Sequence, residues 1–73
     1  MDSTYIFYLN DSIKELIRLA QETKKGDLFN DGILFGYYSS ISLLLNQAES
    51  FNISNQLDGE IKNFNPETLL IKD

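Results

Sequence analysis

The side chains that could carry out acid–base or nucleophilic chemistry in this chain are carboxylates, tyrosines, serines and lysines, because the sequence contains no His and no Cys. The commonest metal ligand and general base is therefore missing, as is the most reactive nucleophile. Glu15 and Glu22 flank Arg18 at helical spacing, which is typical of a solvated helix face rather than of a catalytic carboxylate pair. The sequence also lacks a glycine-rich phosphate loop and a nucleophile elbow. These features predict that the protein is not an enzyme and binds no cofactor.

One segment invites comparison with a calcium-binding loop. Residues 27–32 read Asp-Leu-Phe-Asn-Asp-Gly, whereas the loop pattern needs oxygen ligands at its third and twelfth positions. Those positions hold Phe29 and Tyr38, so two ligands are missing. We interpret Asp27 as a helix N-cap, with Asn30 or Asp31 serving if the helix begins later, and predict no metal site.

A long helix over residues 27–53 is the element around which the rest of the chain is arranged. Its apolar residues recur at steps of 3 and 4, which places them on one side of a 3.6-residue turn. This stripe consists of Leu34, Tyr37, Ile41, Leu44, Ala48 and Phe51, widened by Ile33, Tyr38 and Leu45. We expect the stripe to form the core.

The segment before it, residues 3–25, allows two interpretations. Residues 4–9 are aromatic and β-branched enough to form a strand, with a helix beginning at Ser12. The spacing of apolar residues favours one continuous helix instead. Its stripe consists of Ile6, Leu9, Ile13, Leu16 and Ala20, with Tyr5, Ile17 and Leu19 alongside. Its apolar arc covers about half the cylinder, which predicts contact with two neighbours. Polar residues, among them Asn10, are expected on the other side.

Short connections determine the expected fold. Lys24 and Lys25 suit the last turn of the first helix, and Gly26 suits the position after it. A short connection makes the two helices antiparallel. Residues 54–63 read as a loop, and Asn65-Pro66-Glu67 begins a helical turn over about 66–71. We therefore predict a single all-α domain over residues 1–73, formed by an antiparallel helical hairpin and this C-terminal turn.

Charge and hydropathy exclude two classes of partner. The net charge is −5, and residues 26–61 contain five acids and no Lys or Arg, so we expect no nucleic-acid binding, which needs a basic surface. Residues 32–48 are uncharged and include Gly32-x-x-x-Gly36, but seventeen residues is short for a bilayer span, and polar residues occupy the second half. No membrane association is expected. The N-terminus lacks the basic residues of an export signal, so a cytoplasmic location is expected.

Self-association is expected because a chain of 73 residues buries a small core and has no disulfide or metal to stabilise it. The side of the long helix opposite the core stripe combines small residues with two large apolar ones, Phe35 and Leu43. These two are either ordinary exposed residues or part of a second interface. We favour the interface and expect a homodimeric four-helix bundle. The candidate interface residues are Gly32, Phe35, Gly36, Ser39, Leu43, Tyr37 and Tyr38, although the tyrosines also suit core packing.

Two functional hypotheses follow. The first is a small non-enzymatic helical protein that acts through protein–protein interaction, as a homodimer with a further, unknown protein partner. The alternative is an acidic antagonist, such as an immunity protein or a nucleic-acid mimic, directed at a basic nuclease or DNA-binding protein. The acidic stretch over residues 26–61 motivates the alternative, but five acids are sparse for mimicry.

Overall fold

In the computed structural model, which describes residues 3–71, the chain is all-α. Helix α1 spans Ser3–Glu22, α2 spans Leu28–Ser50 and α3 is a single turn, Gly59–Lys62. Two 3₁₀ segments, Ser54–Gln56 and Pro66–Leu70, precede and follow α3. The described residues contain no strand, so the helical interpretation of residues 4–9 is confirmed. Residues 1–2 and 72–73, at the ends of the predicted domain, lie outside the described residues.

Both long helices end three residues earlier than their patterns predicted, and each end has a local cause. Thr23 closes α1, since its backbone N–H donates to the Ala20 carbonyl and its hydroxyl donates to the Leu19 carbonyl. At the end of α2, Asn52 adopts the left-handed conformation with φ 60°. The N–H groups of Asn52 and Ile53 then donate to the Glu49 and Ala48 carbonyls, which is the Schellman arrangement.

The predicted N-caps Asp27 and Asn65 are confirmed, whereas the predicted position of Gly26 directly after α1 is wrong. Asp27 precedes α2 with extended backbone, and its Oδ1 accepts from the Asn30 N–H at 2.8 Å. Asn65 caps the last 3₁₀ helix by accepting from the Glu67 N–H, with Pro66 at the first position. Gly26 lies in the turn rather than directly after α1, and its φ of 111° is one that residues with side chains rarely adopt.

The core consists of two clusters along an antiparallel hairpin. The first contains Ile13, Ala48, Leu57 and Ile61, and the second contains Ala20, Leu34, Ile41 and Leu69. Each cluster combines α1, α2 and the segment after α2, so residues 54–70 form a third layer along the hairpin. The prediction of a loop over residues 54–63 is wrong in its secondary structure, because the segment forms two short helical turns. The segment also buries Leu57 and Ile61 against the hairpin. The second neighbour of the wide apolar arc on α1 is this layer of the same chain.

The two long helices are offset along their axes. Ile13 shares a cluster with Ala48, which lies two residues before the end of α2, whereas ten residues of α1 precede Ile13. The first two turns of α1 therefore project beyond α2, by roughly 12 Å at 1.5 Å per residue. At the other end α2 projects beyond α1 and is covered on one side by Leu69 and Phe64. The molecule is accordingly elongated, with extents of 41 × 19 × 17 Å.

Candidate functional site

The candidate interface lies on the side of α2 that faces away from both clusters. We call the exposed stripe formed by Leu28, Gly32, Phe35, Gly36, Ser39 and Leu43 the outer face of α2. Leu28 is 91% exposed, Phe35 58% and Leu43 57%. The two acids of the helix, Asp31 and Glu49, lie about 100° round the cylinder from the middle of this stripe. The outer face is therefore uncharged over nearly the whole length of the helix.

The structure brings five of the seven candidate interface residues together on the outer face: Gly32, Phe35, Gly36, Ser39 and Leu43. Tyr37 lies on the core side of α2 and Tyr38 on its flank; both are half-buried and pack against the second cluster. Tyr38 also contacts Phe35, with ring centroids 5.9 Å apart and planes inclined by 40°. The tyrosines therefore belong to the core boundary, and Tyr38 holds the Phe35 ring in place.

Leu28 completes the outer face and was missed by the sequence interpretation, which considered it only within the segment compared with a calcium-binding loop. The signal that could have found it is its spacing, because Leu28 precedes Phe35 by seven residues, or two helical turns.

A second exposed apolar surface lies at the end of the molecule where α1 begins and α2 ends. We call Tyr5, Phe7, Tyr8 and Phe51 the aromatic end; their exposures are 67%, 71%, 73% and 72%. Tyr5 and Phe51 were expected in the core stripes, and that expectation is wrong. They follow the correct helical period but lie where α1 projects beyond the hairpin, so no described element covers them.

A shallow cavity of about 180 Å³ adjoins Phe35. It is lined by Lys25, Asp31, Leu34, Phe35, Leu69, Leu70 and Ile71. The Lys25 ammonium donates to the carbonyls of Ile71 at 2.7 Å and Thr68 at 3.3 Å, which fastens the C-terminal segment beside α2. The expectation that Lys25 completes the last turn of α1 is therefore wrong.

Asn10, expected on the polar side of α1, is 6% exposed and is the buried polar residue among residues 3–71. Its amide nitrogen donates to the carbonyls of Ile6 and Gln56, and its Oδ1 accepts from the Asp58 N–H at 2.7 Å. No local pattern indicates this role, because Gln56 and Asp58 lie more than forty positions further along the chain. Asn10 joins α1 to the segment that carries α3.

The perturbed titratable groups lie in exposed ion pairs. Lys14 bonds to Asp58 and Glu60, and these carboxylates raise its pKa above the usual 10.5. Arg18 bonds to Glu15 and Glu22 along α1, which lowers the pKa of Glu15 and raises that of Arg18. These side chains are partly to largely solvent-exposed, so the pairs are typical of a solvated helix surface.

Within residues 3–71, no group of three or more His, Cys, Asp or Glu side chains is placed to hold a metal ion. No helix in this part of the chain is long and apolar enough to cross a bilayer. No protein-family model matches the sequence, and no curated protein or solved structure is detectably similar to it. The function is therefore inferred from the surfaces of the molecule.

Proposed function

We propose that this chain is a small, non-enzymatic cytoplasmic protein that acts through protein–protein interaction and forms a homodimer through the outer face of α2. The pairing joins two hairpins, so that their four long helices form a bundle with the two copies of α2 at its centre. A further protein partner, of unknown identity, would bind a separate surface of the dimer.

The observation that carries this proposal is the pair of glycines in the N-terminal half of α2. Gly32 and Gly36 each weaken a helix interior by about 1 kcal/mol relative to Ala. A Cβ built at either position meets no atom within 4 Å, so packing inside the subunit does not require glycine. Close packing of a helix from a second molecule would require glycine at these positions, because small residues let two helix backbones approach closely.

The exposed surface of the isolated chain supports the same conclusion. The accessible area is 5231 Å², whereas a compact folded monomer of 8.4 kDa exposes about 4,600 Å². The radius of gyration is 13.0 Å, compared with roughly 11 Å for a compact domain of this length. The excess of about 600 Å² is close to what one partner contributes to a small specific interface.

The aromatic end suits the further protein partner. Residues 5–9 are apolar on every side of the helix, and a helix of that kind is normally buried. The described residues of this surface carry no Lys or Arg, so attraction to an anionic membrane or nucleic acid has no basis there. An apolar groove on another protein is the matching surface.

The acidic-antagonist hypothesis remains second, because part of the acidic stretch already has a structural role. Asp27 caps α2, and both Asp58 and Glu60 pair with Lys14. Binding to a basic nuclease or DNA-binding protein that weakens steeply with salt would favour this hypothesis over the first.

Sedimentation equilibrium tests the proposal, with two matched variants. Phe35→Ser and Tyr8→Ser each remove an exposed aromatic ring, from the outer face and from the aromatic end respectively. We expect the wild type and Tyr8→Ser to be dimeric and Phe35→Ser to be monomeric, with unchanged helix content by circular dichroism. A wild type that stays monomeric at high micromolar concentration contradicts the proposal. Dissociation by Tyr8→Ser alone would move the interface to the aromatic end.

A further inference from the structure

The outer face of α2 has an internal symmetry that specifies how a second copy would bind. Its centre lies between Phe35 and Gly36. Gly32 lies three residues before Phe35, and Ser39 lies three residues after Gly36. Leu28 and Leu43 lie seven residues before Phe35 and after Gly36 respectively. All six positions are exposed. When a second copy of the helix runs in the opposite direction, leucine therefore lies level with leucine, and small residue with small residue.

We propose that two copies of α2 pair antiparallel about a two-fold axis between Phe35 and Gly36. In a two-fold interface each contact occurs twice, with the residues exchanged. Leu28 then faces the partner's Leu43, Gly32 faces the partner's Ser39, and Phe35 faces the partner's Gly36. Apolar residues meet apolar residues, small residues allow close approach, and each phenyl ring occupies the space left by the missing side chain of a glycine. This register rests on the proposed self-association, and it specifies how the two copies of α2 are aligned.

The structure holds Phe35 ready for this contact. Its ring rests against Tyr38, which is itself half-buried against the second cluster. A side chain that is already ordered loses less conformational entropy when a partner binds. The cavity beside Phe35, bordered by Leu70 and Ile71, extends the apolar surface to one flank.

Charge favours a second copy in this orientation. The chain has a net charge of −5, and the outer face is an uncharged strip on which two such chains can meet. In the antiparallel register the two copies of Asp31 lie nine residues, or about 13 Å, apart along the helix axis, and Glu49 lies beyond the start of the partner helix. In a parallel arrangement Asp31 and Glu49 would each lie level with the same residue of the partner helix. Like charges brought together across an interface are unfavourable.

The apolar area suits a dimer of modest affinity. Phe29 borders the outer face, about 70° round the helix from its middle. Phe29 and Phe35, at 77% and 58% exposure, present roughly 270 Å² on a scale of about 200 Å² per aromatic side chain. Leu28 and Leu43 add about 150 Å² at roughly 100 Å² per leucine. With the glycine and serine backbone and the flanking Leu70 and Ile71, each copy reaches about 600 Å², the lower limit for a specific interface.

Disulfide cross-linking tests the register, since the chain has no native cysteine. Gly32→Cys and Ser39→Cys are prepared separately, one of them labelled with nitrogen-15, and are mixed in a thiol–disulfide buffer. Mass spectrometry then distinguishes the mixed dimer from the two like dimers. In the antiparallel register position 32 lies beside the partner's position 39, whereas like positions are about 10 Å apart along the helix, which is too far for a disulfide. Sedimentation equilibrium of the reduced wild type is measured in parallel.

We expect the mixed disulfide to exceed each like disulfide at least tenfold. Like disulfides at both positions without the mixed product would show a parallel pairing and overturn the register, while the dimer itself stands. A wild-type dimer in which neither variant cross-links would place self-association on another surface and overturn the register. A monomeric wild type would overturn both the register and the proposed self-association.

Discussion

Gly36→Ala has opposite expected effects on the subunit and on the dimer. Within the subunit a Cβ at this position meets no atom within 4 Å. The new methyl group therefore raises helix stability by about 1 kcal/mol, which corresponds to about 4–8 °C in melting temperature for a domain of this size. The isolated subunit should become more stable.

At the proposed interface the methyl group at position 36 occupies the space that the partner's Phe35 ring would fill. Overpacking typically costs about 1–3 kcal/mol per site, and the two-fold axis creates two equivalent sites. An association free energy weakened by about 2 kcal/mol or more raises the dissociation constant roughly 30-fold. The variant should therefore melt higher than the wild type at low concentration, and its melting temperature should depend less on concentration in the range where the wild type is dimeric.

Sedimentation equilibrium and thermal melts across a wide concentration range measure both effects. Asn46→Ala is the control, because Asn46 is exposed on the same side of α2 but lies beyond the start of the partner helix in the proposed register. It should raise helix stability by roughly 0.5 kcal/mol and leave the dissociation constant unchanged. If Gly36→Ala behaves like this control, Gly36 is an unoptimised surface position and our interpretation of the glycines is refuted.

Three further predictions concern the subunit itself. Asn10→Ala should lower the free energy of unfolding by about 1–3 kcal/mol in denaturant titrations, because it leaves the Gln56 carbonyl and the Asp58 N–H without their partner; a cost no larger than that of an exposed asparagine substitution would contradict this role. Asn52→Gly should raise the melting temperature slightly and Asn52→Ala should lower it, because φ is 60° there; the reverse order would contradict the Schellman arrangement. Arg18 lowers the pKa of Glu15 below its usual 4.5, so this pair stabilises the fold fully above pH 4.5 and loses its contribution as the pH falls further. Arg18→Gln should therefore flatten the acid limb of the stability–pH profile, and an unchanged limb would show that the pair contributes nothing.

Local features of the fold were predictable because their causes lie within a few residues of one another. Steps of 3 and 4 between apolar residues identified both long helices, including the disputed residues 4–9. Asp27 and the Asn65-Pro66 pair act on N–H groups two or three positions away, and both were identified correctly. Even the early end of α2 had a local signal, since Asn tolerates the left-handed conformation that Asn52 adopts.

The candidate site was predictable in part for the same reason. Helical periodicity alone places Phe35 and Leu43 opposite the core stripe, together with the small residues between them. It could not determine which residues cover Tyr37, within the stripe, and Tyr38, at its edge. Their packing depends on Leu69 and Phe64, which reach α2 only through the fold of the C-terminal segment.

Local patterns of residues specify the helices, their N-caps and the apolar side of each helix. How much of each apolar side is covered depends on the packing of segments that are distant in the chain. The offset between α1 and α2 exposes Tyr5 and Phe51 although their spacing matches that of buried residues. The same folding buries Asn10 against backbone groups more than forty positions away. Periodicity specifies a direction around a helix axis, whereas burial also requires a neighbour at the same height, and that neighbour is supplied by residues distant in sequence.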